Sequence, residues 1–146
     1  MKKYPFSLAL LKAFHAQNNV FRPMIAEVGL SVGQPKIMDF LTRHDGCMQK
    51  DLAAMCDIEP ATISRLLDKM EADGLISRQA VAGNKRATAI SLTPSGYARH
   101  EQATELRAQM EAIELAGFSE EEKAQFYQFL VRLYKNLTGG ASVEDP

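Results

Sequence analysis

Between Pro60 and Leu92 the spacing of apolar residues changes once, and few folds accommodate both halves of that change. Ile63, Leu66, Leu67 and Met70 fall at i, i+3, i+4 and i+7, one stripe of a helix, while Ala61, Arg65, Asp68 and Ala72 occupy the opposite side. Pro60 suits the first helical position, because its φ is already helical and its missing N–H would have had no partner there. Ile58 and Ile63 have the spacing of a hydrophobic staple, which fixes the angle at which the chain enters. Gly74 can end the helix in a left-handed conformation. Beyond it Thr88, Ile90 and Leu92 alternate with Ala87, Ala89 and Ser91, the period of a half-buried strand. Leu75 to Val81 forms the first arm of a hairpin, Arg86 to Leu92 the second, and Gly83-Asn84 within Ala82 to Lys85 its tip.

A helix from Gln49, with Leu52, Ala53, Met55 and Cys56 on its buried side, precedes this run. Helix, tight turn, helix and hairpin in that order predict a winged helix-turn-helix. The fold class is mainly α with a small β-hairpin wing, flanked by N- and C-terminal dimerisation helices. The outward residues at the start of the second helix are Ala61, Thr62, Ser64 and Arg65, with Lys69 a turn further on. Small side chains let a backbone approach base edges, hydroxyls serve donors or acceptors, and an arginine can pair with O6 and N7 of guanine. Asn84, Lys85 and Arg86 at the hairpin tip are placed to reach phosphates or a minor groove. The alternative for each group is a solvated helix face and a solvated turn; their succession favours double-stranded DNA.

Leu-Ser-x-x-Gln at 30–34, Asp-Leu-Ala at 51–53, Pro-Ala-Thr-Ile-Ser-Arg at 60–65, Gly-Leu-Ile at 74–76 and Leu-Thr-Pro-x-Gly at 92–96 carry a resemblance. Together they resemble the MarR family of bacterial transcriptional regulators. The resemblance implies a homodimer on a pseudo-palindromic operator, usually a repressor released by a small molecule or an oxidant. One departure is in the wing: the family's Asp-Arg-Arg is Asn84-Lys85-Arg86 here, so the acid that would orient the wing arginine is an amide.

A length of 146 residues fits one domain, 1–146, with a DNA-binding region at 33–92 and dimerisation helices at 5–28 and 94–138. The net charge of −1 hides an asymmetry that matters for a polyanion partner. Residues 1–100 carry 13 Lys and Arg against 9 Asp and Glu, and residues 101–146 carry 4 against 9. The acidity therefore lies away from the reading head.

The first helix sets Leu11, Phe14, Asn18, Phe21 and Ile25 on one stripe, and Pro23 is expected to kink or end it. Ser31 and Gln34 have capping-box spacing, with Pro35 in the first turn of the next helix. After Thr93-Pro94 comes a long polar helix to about Ala116. Gly117 breaks it, Ser119 and Glu122 form a second capping box, and Phe126, Phe129, Leu130, Leu133, Tyr134 and Leu137 share one face of the last helix. Such an aromatic face needs a partner, so the first and last two helices are candidates for a two-fold interface. Residues 139–146 read as a disordered tail.

Phe14, His15, Asn18, Phe21 and Arg22 mix aromatic surface with polar groups, the make-up of a pocket for a small aromatic acid; equally, they only pack a dimer. No signal peptide or membrane span is indicated, so a cytoplasmic location is expected. Cys47 and Cys56 read as free thiols, Cys56 in the core. His44, Asp45, Cys47 and Cys56 match no zinc spacing, and no catalytic constellation or cofactor motif emerges. The chain is thus expected to be no enzyme and to use no cofactor or metal. The rival function is a winged helix that docks a protein partner without specific DNA binding.

Overall fold

The computed structural model describes residues 3–143, with the side chains of all but residues 85 and 86. Within them the elements run α1 (Phe6–Ala26), α2 (Gln34–Arg43), β1 (Cys47–Met48), α3 (Gln49–Met55), α4 (Pro60–Ala72), β2 (Ile76–Val81), β3 (Asn84–Leu92), α5 (Pro94–Glu114) and α6 (Glu120–Thr138). None of these helices is long and apolar enough to cross a membrane. The chain divides into two compact units, Met1–Met110 and Glu111–Pro146, with α5 running through the division.

The first unit holds the core. The α4 stripe of Ile63, Leu66, Leu67 and Met70 is buried against Ile37, Met38 and Leu41 of α2, Leu52 and Ala53 of α3, and Leu75, Ile76, Ile90 and Leu92 of the sheet. Each such side chain contributes about 1.5–3 kcal/mol on burial, enough to hold a 13-residue helix whose other side stays wet. Pro60 is the first residue of α4, and Ile58 packs against the core from just before it, where a staple belongs.

The sheet is larger than a hairpin. β1 pairs antiparallel with β3 through Cys47↔Ile90 and Met48↔Ala89, giving the order β1-β3-β2. The wing is therefore tied to the start of α3 as well as to the end of α4. The hairpin turn differs from the expected Gly-Asn tip. Ala82-Gly83 makes a two-residue turn with Gly83 at φ +81, and Asn84 is already in β3 opposite Val81. An irregularity between Ala80 and Val81 lets the tip close in this register. The alternation of β3 holds at its base, where Ile90 and Leu92 are buried, and lapses at Thr88, which projects beyond the core and is exposed.

Of the two alternatives at Pro23, an end to the helix is not taken, and the start of α2 departs from expectation. α1 continues through Pro23 to Ala26 rather than ending at the proline. α2 begins at Gln34 with Gly33 as its N-cap, and only half the expected capping box forms: the Ser31 N–H donates to Gln34 Oε1 at 2.9 Å, with no side-chain cap from Ser31. That bond satisfies a side chain that is otherwise buried.

α5 opens on a close contact. The Thr93 hydroxyl donates to the Gly74 carbonyl at 2.6 Å and accepts from the Gly96 N–H at 3.0 Å. A Cβ on Gly96 would lie 2.1 Å from the Leu75 carbonyl oxygen, so only glycine lets the helix approach the sheet this closely. Further along, Asp39 of α2 receives His100 Nε2 at 2.9 Å and Arg107 Nη1 at 2.5 Å, fastening two turns of α5 to α2.

In the second unit, α6 starts at a complete capping box. The Glu122 N–H donates to Ser119 Oγ at 3.1 Å, and the Ser119 N–H donates to Glu122 Oε2 at 2.8 Å. Phe118 and Phe126 meet with ring centroids 6.0 Å apart. No residue of α6 is buried. Phe126, Phe129, Leu130 and Leu137 of its apolar face are all exposed. Thr138 is its last residue, and residues 144–146 of the expected tail lie outside the described residues.

Candidate nucleic-acid interface

The first two turns of α4 present what the sequence suggested. Ala61, Thr62 and Arg65 are exposed and Ser64 is half-buried, on the side opposite the buried stripe. No acidic residue lies in that first turn, and the N-terminal end of a helix carries a partial positive charge that attracts phosphate. Among the described residues no hydrogen bond or ion pair engages the Arg65 guanidinium.

Lys69 differs. Its Nζ is 2.9 Å from Asp73 Oδ2, an i, i+4 pair at the far end of the helix. An exposed pair of this kind is worth a few tenths of a kcal/mol, so Lys69 can leave it for a phosphate at little cost.

Beside α4 lies the wing. A groove of about 600 Å³ runs between them, lined by Met48, Gln49, Lys50 and Ala53 around α3, Pro60 and Ile63 of α4, and Asn84, Ala87 and Thr88 of β3. Asn84 is thus brought to the same side as the start of α4. The backbone of residues 85 and 86 belongs to β3, while the Lys85 and Arg86 side chains lie outside the described residues.

Arg78, which the sequence reading passed over, joins the two elements. From β2 its Nη1 reaches Asp68 Oδ1 at 2.8 Å and Glu71 Oε1 at 3.7 Å on α4. The signal was present in the alternation: Arg78 shares a strand face with the buried Ile76, the face that meets the helix.

The α1 group is less gathered. Phe14, His15 and Arg22 are exposed on an open helix face, whereas Asn18 and Phe21 are half-buried, Phe21 against the core. The thiols are quiet. Burial pushes Cys56 up to about 12, outweighing the opposing pull of Lys36. Cys47 is also raised, by burial first and then by the carboxylate of Asp51. A raised pKa favours the thiol over the thiolate that oxidants attack. Among the described residues no group of three His, Cys, Asp or Glu is placed to hold a metal.

Comparison with known proteins decides the family. The MarR family model matches residues 30–88, which span α2 to the middle of β3. The HTH-type transcriptional repressor YetL of Bacillus subtilis is 32% identical over 133 residues, covering 90% of this chain and 80% of that protein. The chain belongs to the MarR family. The homoprotocatechuate degradative operon repressor of Escherichia coli is 31% identical over 125 residues, with 85% of this chain and 84% of that protein covered. Among solved structures, the S. aureus MepR–DNA complex superposes with a TM-score of 0.83 at 25% identity, covering 92% of this chain and 99% of that one. As a MarR-family member the protein is a winged helix-turn-helix transcriptional regulator, and the relatives it matches are named as regulators rather than as enzymes.

Proposed function

We propose that the protein represses transcription by occupying a pseudo-palindromic operator as a homodimer. Ala61, Thr62, Ser64 and Arg65 enter the major groove, Lys69 contacts a phosphate, and Asn84, Lys85 and Arg86 track the adjacent backbone or minor groove. The observation that carries this reading is the exposed, acid-free first turn of α4 beside the wing, with Arg65 unpaired among the described residues. Two such heads spaced by about 34 Å would meet successive major grooves. The MepR–DNA complex, a structure of similar fold with DNA bound, supports DNA as the partner.

The exposed apolar faces support a second copy. Phe6, Leu11 and Phe14 of α1, and Phe126, Phe129, Leu130 and Leu137 of α6, are large apolar side chains left in water by the single chain. A symmetric partner covers such faces with the same faces of its own.

The effector is a small aromatic acid held where the partner completes the open face of α1, with Arg22 meeting its carboxylate and Phe14, His15, Asn18 and Phe21 around its ring. Homoprotocatechuate, after which the E. coli relative's operon is named, belongs to that class. A ligand preferring a head spacing unfit for B-DNA lowers operator affinity, and by linkage DNA lowers ligand affinity by the same factor.

The test is an anisotropy titration against labelled duplexes tiled across DNA upstream of the protein's own gene, with and without a panel of aromatic acids. One duplex containing an inverted repeat should bind far more tightly than the others, and a binding acid should weaken it. Equal affinity for every duplex at every salt concentration would point to a protein-docking module and overturn the reading.

A further inference from the structure

On α4, Asp68 lies three residues beyond Arg65 and Glu71 three beyond Asp68, so Asp68 neighbours both Arg65 and Glu71 on the helix surface. Side chains three apart on a helix are neighbours, and an exposed aspartate so placed is a ready partner for the arginine. A paired Arg65 would have to break that contact before reaching a base. The carboxylates would also stand facing phosphates. In the structure Asp68 is turned away from Arg65 and held by Arg78 at 2.8 Å, with Glu71 Oε1 at 3.7 Å from the same Nη1. Arg78 is itself only 19% exposed, whereas Asp68 is 66% exposed, so the arginine is the more buried partner of the pair. Its Nε is buried without a hydrogen-bond partner among the described residues, a position that serves the two acids better than it serves the arginine's own donors.

We infer that Arg78 is a specificity-positioning residue: by holding Asp68 it keeps Arg65 unpaired, and with Glu71 also beside it the helix surface next to Arg65 carries less uncompensated negative charge. The inference rests on the proposed role of Arg65 in base reading. It separates Arg78 from a mere tether between wing and helix, because a tether lost is not restored by removing its other end, whereas a captor removed releases what it captured.

The experiment uses the full chain, the preferred operator duplex and a non-specific duplex at matched salt. Arg78→Gln keeps the stem and removes the charge. It should lower operator affinity about two- to tenfold, from capture of Arg65 plus exposed carboxylate charge. Adding Asp68→Asn to it should return affinity to within about twofold of the parent. Asp68→Asn alone should bind as tightly as the parent or more tightly. A double variant as weak as Arg78→Gln overturns the inference and leaves a tether, as does Arg78→Gln binding like the parent. A weakened Asp68→Asn overturns it even should Arg78→Gln not fold. Arg65→Ala in the same assay keeps the two failures apart: parent-like binding there refutes base reading by Arg65, while weak binding there with no rescue in the double variant refutes only the inference.

Discussion

Arg65 stands one turn into α4 and is exposed, and the proposed reading gives it a single base pair in each half-site. Arg65→Ala is expected to cost about 1–3 kcal/mol in specific binding and to relax preference at that pair, leaving non-specific affinity nearly unchanged. Competition titrations against duplexes varied one pair at a time measure both effects, and uniform loss across all sequences would reassign the residue to a phosphate. The cysteines give a second expectation at this scale. A Cys56 thiol raised to about 12 stays protonated through the physiological range and is buried, so iodoacetamide at pH 8 should label it only as the chain unfolds. Mass mapping across a urea titration checks this, and rapid labelling of native protein would contradict it. The first-turn residues of α4 were legible because one apolar stripe fixes which side of a helix faces out. Arg78 was not read, since its partners lie ten and seven residues back on a different element, and only the strand's alternation hinted at them. Asp39, His100 and Arg107 were invisible for the same reason at greater distance: 61 residues separate the first two.

Among the elements, the wing and the start of α5 depend on contacts of opposite kinds. The wing tip extends past the buried part of the sheet, and under the proposed reading its basic residues contact DNA. Replacing Lys85 and Arg86 together with Ala should weaken binding to every sequence and flatten the slope of log K against log salt by roughly one to two. An unchanged slope would remove the tip from the interface. The α5 start, by contrast, is held at a backbone contact with no spare room. Gly96→Ala places a methyl against the Leu75 carbonyl and should destabilise the first unit by about 1–3 kcal/mol, measured by urea unfolding. Leu-Thr-Pro-x-Gly shows in the sequence that a glycine stands there; only the structure shows what it makes room for. The hairpin was legible as a hairpin but not in its turn, because Ala82-Gly83 and Gly83-Asn84 both offer a glycine and the register is decided by Val81 opposite Asn84. β1 was not legible as a strand: two residues carry no period, and their pairing with β3 crosses more than forty positions.

For the molecule as a whole, the second unit ends in a helix with a complete cap at one end, an apolar face along its length and no buried residue. If a second copy covers that face, folding and association are one equilibrium, and the midpoint of thermal unfolding should rise with protein concentration. Calorimetry over a hundredfold range of concentration tests this, with Leu130→Glu expected to lower the midpoint and shift sedimentation toward the monomer; a midpoint independent of concentration would place the partner elsewhere. The bare face of α6 then has a meaning for the cell. A freshly translated chain would then be an unfinished regulator, open to proteases until it met its copy, so silencing at the operator would switch on above a threshold of expression rather than in proportion to it.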